Sequence, residues 1–470
     1  MANEIVHSSY LGVSTTSEGK LGQVRGDAMA GFGFTPEDSS DPEKKPDSSG
    51  SFGDFFQQFS NLGINLQAVM AALSGKSTPA NLSRELIRDI SRKFLAAHGE
   101  LPITVADLEA TKRVMNIADL WLNEATAFPA LPLLENCALS RREWIDSTLL
   151  GWEELALPLV EGMSEAMSTI FNEALGDATE AELGEQLRGL TGFGPANIPK
   201  SAVLAMMGTF VSSLISSQLG QTIGNLATTV TGANDVALPL TGEIKAQLIP
   251  QNLANWGSGL DIDANEVGIY LALRELAAAR LFAAAPWLRQ QIKAAIASYG
   301  KGIRIDITAI TEQAQQAFDS GQLDFNNPES MTFALSGGLF TPEESETQRA
   351  ALSNLENILA LIEGWIDAVV IEAAGARLPA LTRLREAQQR RRATNSPTQQ
   401  LFASLIGLEV SPRKAREASK FWQDFLSLSD QKTRDEIWSE SFLIPSPEQL
   451  GDAASFLRSR TIPDDLSGLI

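Results

Sequence analysis

Three carboxylates carry the chemistry that this 470-residue chain could perform: Glu275, Glu363 and Asp367. Glu275 lies in the segment LRELAA, where Arg274 and Ala278 stand four residues apart and so share one face of a helix. Histidines at those two positions, the H-E-x-x-H pattern, would give zinc two nitrogen ligands and make the intervening glutamate a general base toward metal-bound water. Arginine is permanently protonated and alanine has no donor atom, so Arg274 and Ala278 cannot serve as that ligand pair. Glu363 and Asp367, one helical turn apart, could combine with Glu275 into a carboxylate cluster for a hard cation such as Mg²⁺ or Ca²⁺. The competing expectation is structural: Glu275 and Glu363 pair with Arg274 or Arg280 in a partly buried ion network.

Replacement ligands are scarce. The chain has two histidines, His7 near its start and His98 far upstream of Glu275, and one cysteine, Cys137. A lone thiol forms no internal disulfide and reads as a small buried hydrophobe in a reducing, cytoplasmic setting. The same shortage argues against a Ser-His triad. No phosphate-binding glycine loop and no G-x-S-x-G elbow occurs in the sequence. A formal net charge of -21 works against broad attraction to nucleic acid or anionic lipid.

The elements that must position these residues are helices nearly throughout. With 44% apolar content the chain can bury a large core. Residues 1–51, rich in Gly, Ser, Pro and charge, read as a disordered tail, with helical spacing starting at Phe52, Phe55, Phe56 and Phe59. An N-terminal helical region then spans 52–200, with helices over 79–98, 104–124, 140–151, 153–174 and 179–190. A second region, 201–470, opens on a small-residue helix over 201–230. Its serines break any run of about 18 apolar residues, so a buried helix is expected rather than a membrane span, and Gly220 and Gly224 would let another helix approach closely.

The helix carrying Glu275 is bounded by Asp263, which with Glu266 suggests a capping box, and by Pro286. The alternation of Ile303, Ile305 and Ile307 suggests one short strand over 302–307. The segment 341–344, TPEE, then suggests the start of the helix that carries Glu363 and ends near Ala374. A basic run, Arg383, Arg385, Arg390, Arg391 and Arg392, reads either as a solvated helix end or as a site for phosphate or an acidic partner. Phe421, Trp422, Phe425, Leu426, Trp438 and Phe442 lie at helical spacing and are expected in the core.

Several long segments resemble a known family: FGF at 32–34, RDISRK at 88–93, SRREWIDSTL at 140–149, VALPL at 236–240, EVGIYLALRELAAARLF at 266–282 with the following PWL, SGGLFTPE at 336–343 and LIEGWID at 361–367. Over residues 30–445 the chain is similar to the actinobacterial zincin-like proteins described as zinc-dependent metalloproteases or hydrolases. The resemblance implies a mainly α, multi-helix zincin-like fold with few short strands. It also implies zinc held by H-E-x-x-H and by the glutamate of a later E-G-H-like segment. The matching positions are Arg274-Glu275-Leu276-Ala277-Ala278 and Glu363-Gly364-Trp365, so the carry-over reaches Glu275, as a vestigial general base, and Glu363 alone.

The expectation is therefore a non-catalytic relative without bound metal, acting by binding or scaffolding on a protein or peptide partner, with no nucleic acid and no membrane insertion. The alternative is an active hydrolase that uses Glu275, Glu363 and Asp367 with a non-standard metal site or with no metal.

Overall fold

The computed structural model describes residues 82–175, 199–303, 345–395 and 412–460, together with a few isolated positions between them. The expected tail, the Phe52 to Phe59 helix, the expected strand at 302–307 and the 341–344 helix start fall wholly or mostly outside these residues, as does most of the 179–190 helix.

The described chain runs through helices α1 (Arg84–His98), α2 (Val105–Leu122), α3 (Arg141–Leu175), α4 (Lys200–Ala227), α5 (Pro250–Gly257) and α6 (Ala264–Ala284). It continues through α7 (Trp287–Lys301), α8 (Glu346–Ala374), α9 (Leu381–Asn395), α10 (Pro412–Leu428), α11 (Gln431–Glu436) and α12 (Ala453–Arg460). No strand occurs among the described residues. Their only β-type contacts are isolated bridges at Leu248, to Ala138 and to Gly232. None of the described helices is long and apolar enough to cross a membrane.

Helix α6 is the axis of the fold. Every residue from Val267 to Phe282 is buried, as expected of a helix apolar on nearly all sides. It packs against α2 and α8, α8 packs against α7 and α10, and α3 packs against α1, α4 and α7, so helices from both sides of residue 200 share one core. Asp263 caps α6 by accepting from the Asn265 N–H at 2.9 Å. The expected partner Glu266 does not reach back; it accepts the Ala380 N–H at 2.9 Å and ties the start of α6 to the approach to α9. The reciprocal box occurs instead at α8, where Ser345 and Gln348 satisfy each other's backbone N–H groups.

Two expected helices, 140–151 and 153–174, are one. Gly151 does not break α3 because its missing side chain serves a contact: a Cβ there would lie 2.1 Å from the Leu240 carbonyl oxygen. Gly220 and Gly224 on α4 face Ile90 and Phe94 of α1, and the Ser91 hydroxyl donates to the Gly220 carbonyl at 2.9 Å. Of the expected aromatic core, Phe421, Trp422, Phe425 and Trp438 are fully buried. Phe442 is 79% exposed, because a separate 3-10 turn at Ser441–Leu443 ends the helical register that reaches Trp438.

Candidate functional site

Helices α6 and α8 bring Arg274 and Glu363 together, and nearly everything else in the site follows from that contact. An Arg274 Nη2 donates to Glu363 Oε1 at 2.5 Å in largely buried surroundings. Burial works against the Arg274 cation, but Glu363 beside it, with Tyr270, Asp367 and Asp235 contributing, holds it protonated above its ordinary value. From α9, Arg392 brings its Nε to 3.4 Å from the same Glu363 oxygen. Glu363 is thus neutralised from two sides by guanidinium groups.

Glu275, the next residue on α6, faces elsewhere. Its Oε1 accepts from Asn234 Nδ2 at 2.8 Å and the Gln247 N–H at 3.1 Å, and its Oε2 accepts from the Asn234 N–H at 3.0 Å. Both donors belong to the connection between α4 and α5, which is drawn together by the Ala233 N–H donating to Gln247 O and the Ile249 N–H donating to Thr231 O, each at 2.9 Å. Glu275 therefore holds this connection against α6, and pairs with neither Arg274 nor Arg280. Burial pushes its carboxyl up to about 8 against the opposing pull of Asn234 and Gln247. Arg280, one turn farther along, reaches α2 instead, donating to Asp119 Oδ1 at 2.6 Å and Asn123 Oδ1 at 2.7 Å.

Asp367, one turn after Glu363, turns toward α9 and α10. It accepts from Arg385 at 3.2 and 2.9 Å and from the Ser419 hydroxyl at 2.6 Å. Burial raises its carboxyl, but Arg385 and Ser419 outweigh that and hold it below the ordinary range. The residues between the two acids complete the local logic. Gly364 lets α10 approach, since a Cβ would sit 2.6 Å from the Ala418 carbonyl carbon. Trp365 enters the core and donates its indole N–H to Asp435 at 3.0 Å.

Glu275, Glu363 and Asp367 are thus near one another in the fold but serve three different sets of partners. Among the described residues, no three His, Cys, Asp or Glu side chains come together in a way that could hold a metal ion. Zinc does not fit the residues present: Arg274 and Ala278 offer no donor, and Glu363 is already committed to guanidinium groups. The cavity bordered by Arg274, Glu275, Ala278 and Glu363 has a volume of only about 10 Å³, room for about one water. His98 stands at the end of α1, stacked on Phe94 and bonded to its carbonyl.

Asp235, which the sequence pattern does not single out, completes the buried charge set. Its carboxylate accepts the Thr231 N–H at 2.9 Å and an Arg392 N–H at 3.0 Å, with Arg391 at 3.8 Å. Burial would raise it, but Arg392 and Arg391 bring it below the ordinary value. The basic run is therefore no uniformly solvated helix end. Arg385, Arg391 and Arg392 turn inward, Arg383 donates to the Leu260 carbonyl, and Arg390 stays exposed beside Glu386. Positions 385, 388 and 392 recur at helical spacing, a signal available in the sequence but masked by the density of charge.

Among the described residues the architecture is all-helical, built around a buried α6 that a charged pair joins to α8. The model for zincin-like metallopeptidases matches residues 84–457, and the chain belongs to that family. The fold is also similar to that of a Chloroflexus aurantiacus protein described as "a putative hydrolase with a novel fold", at 16% identity and a TM-score of 0.51, covering 81% of this chain and 100% of that one. No curated protein matches the sequence.

Proposed function

We propose that this chain is a metallopeptidase-family protein whose peptidase centre is vestigial, and that it acts by binding or scaffolding in the cytoplasm on a protein or peptide partner. The observation that carries this reading is the Arg274 to Glu363 pair. In the family pattern these positions match a histidine ligand and a glutamate ligand, whose charge a zinc ion would balance. Here the guanidinium supplies the positive charge itself, at 2.5 Å from the carboxylate. Glu275 keeps the general-base position but is occupied in holding the Asn234 and Gln247 backbone, and no metal-bound water is available for it to activate without the two missing ligands.

The test is the metal content of protein purified without chelators, measured alongside peptidase activity. The expected result is no stoichiometric zinc and no hydrolysis. Stoichiometric zinc that disappears in Glu275→Ala or Glu363→Ala would overturn the reading in favour of an active hydrolase with an unusual site.

A further inference from the structure

On the outer side of the Arg274 to Glu363 pair, helices α8, α9 and α10 line a cleft of about 250 Å³. Its charge opposes that of the chain. Five arginines reach it against three carboxylates, Glu363, Asp367 and Glu386, which leaves two positive charges in a protein of net charge -21. Behind the wall, Asp235 and Arg391 add one charge of each sign, so the excess remains.

The arginines divide into two sets. Arg274, Arg385 and Arg392 are fixed by Glu363, Asp367 and Asp235, and form a rigid positive floor. Arg390 and Arg416 stand exposed at the cleft. Among the described residues Arg390 pairs only with Glu386, one turn away on its own helix, a contact worth about a few tenths of a kcal/mol. Arg416 has no acidic partner among the described residues.

A second observation points to a ligand. Gln388 lines the same cleft at 4% exposure, and its buried Oε1 has no hydrogen-bond partner among the described residues. Buried polar groups are normally satisfied, and each one left bare costs about 1–3 kcal/mol. A bare acceptor set among arginines in one cleft wall suits a ligand carrying a negative group and a hydroxyl or amide N–H. A long polyanion would meet the repulsion of the whole chain, whereas a small one feels chiefly the local arginines.

We infer that this cleft binds a compact oxyanion, a phosphate monoester or a multiply charged carboxylate, gripped by Arg416 and Arg390 over the fixed arginine floor, with Gln388 accepting a hydrogen bond from the same ligand. The forked guanidinium matches both oxyanions. This adds a small ligand to the non-catalytic binding role proposed above and rests on that reading.

The experiment titrates the full chain with sodium phosphate and, separately, sodium citrate, at ionic strength held constant with sodium chloride, and follows the melting temperature. A saturable rise with either anion is expected. Arg416→Glu and Arg390→Glu, both at exposed positions, should each weaken the apparent affinity about tenfold or more, while Lys432→Glu, exposed and not lining the cleft, should leave it unchanged. A response to phosphate alone assigns a phosphoryl ligand, and one to citrate alone a carboxylate. No rise beyond the chloride control, a rise that survives Arg416→Glu and Arg390→Glu, or equal loss in Lys432→Glu overturns the inference. Zinc content, measured on the same protein, reports on the vestigial-centre reading independently of these outcomes.

Discussion

Arg274 on α6 and Glu363 on α8, 89 residues apart in sequence, form a buried ion pair that joins the two central helices of the fold. Removing one partner of such a pair leaves an uncompensated charge in the interior, at a cost of about 3–5 kcal/mol. Arg274→Ala is therefore expected to lower unfolding free energy by that order in urea titration. Glu363→Ala should cost a comparable amount, and the double variant less than the sum. Full additivity of the two effects would show that the pair is not coupled as described.

Zinc binding should be recoverable. Arg274→His with Ala278→His places two imidazoles on one face of α6 and releases Glu363 from its strongest cation. Ala278 is 2% exposed and the adjoining cavity is small, so the added ring will cost about 1–3 kcal/mol without metal. Zinc should raise the melting temperature of this variant by mass action and leave the parent unchanged. Adding Glu363→Ala should remove most of the gain. Equal zinc responses with and without Glu363 would exclude it as a ligand position.

Glu275 makes stability depend on pH in a stated direction. Its carboxyl is raised from an ordinary value of 4.5 to about 8. The unfolded chain therefore releases its proton first, and the stability tied to this group is full below about 4.5 and lost as pH rises toward 8. The slope within that window is on the order of 1 kcal/mol per pH unit. Glu275→Gln removes the titration and should flatten the curve between pH 5 and pH 8, relative to the parent, in parallel melts. An unchanged slope would reassign the effect to another group.

Helix α6 and its neighbours are legible from sequence because apolar periodicity and the stop at Pro286 act locally. What the sequence hides depends on contacts between distant elements. Gly151 looks like a helix end until Leu240 is seen lying against it. Glu266 looks like half of a capping box until Ala380 offers it a better-placed N–H. The residue types at 274, 278 and 363 state what the site lacks, but not that Arg274 balances Glu363. Nor does the sequence reveal that Glu275 turns to the Asn234 loop, or that Asp235 and Arg392 close the charge set, since each pairing spans dozens of residues. The family match extends the reading over 84–457 without specifying those partners.

Gly364 offers the sharpest test of how the cleft is built. It lies directly after Glu363, and α10 crosses at this point so closely that a methyl group would stand 2.6 Å from both the Ala418 carbonyl carbon and the Ser419 nitrogen. Both are backbone atoms, which no side-chain rotation can move aside. Gly364→Ala should then push α10 outward at a cost of at least about 2 kcal/mol. It should also loosen the Ser419 to Asp367 hydrogen bond and so disturb Arg385 at the cleft. Gly242→Ala is the matched control, because a Cβ there meets nothing within 4 Å and should leave stability within about 0.5 kcal/mol of the parent. If Gly364→Ala proves as mild as Gly242→Ala in denaturant unfolding, the close crossing of α8 and α10 is not the constraint that shapes this site.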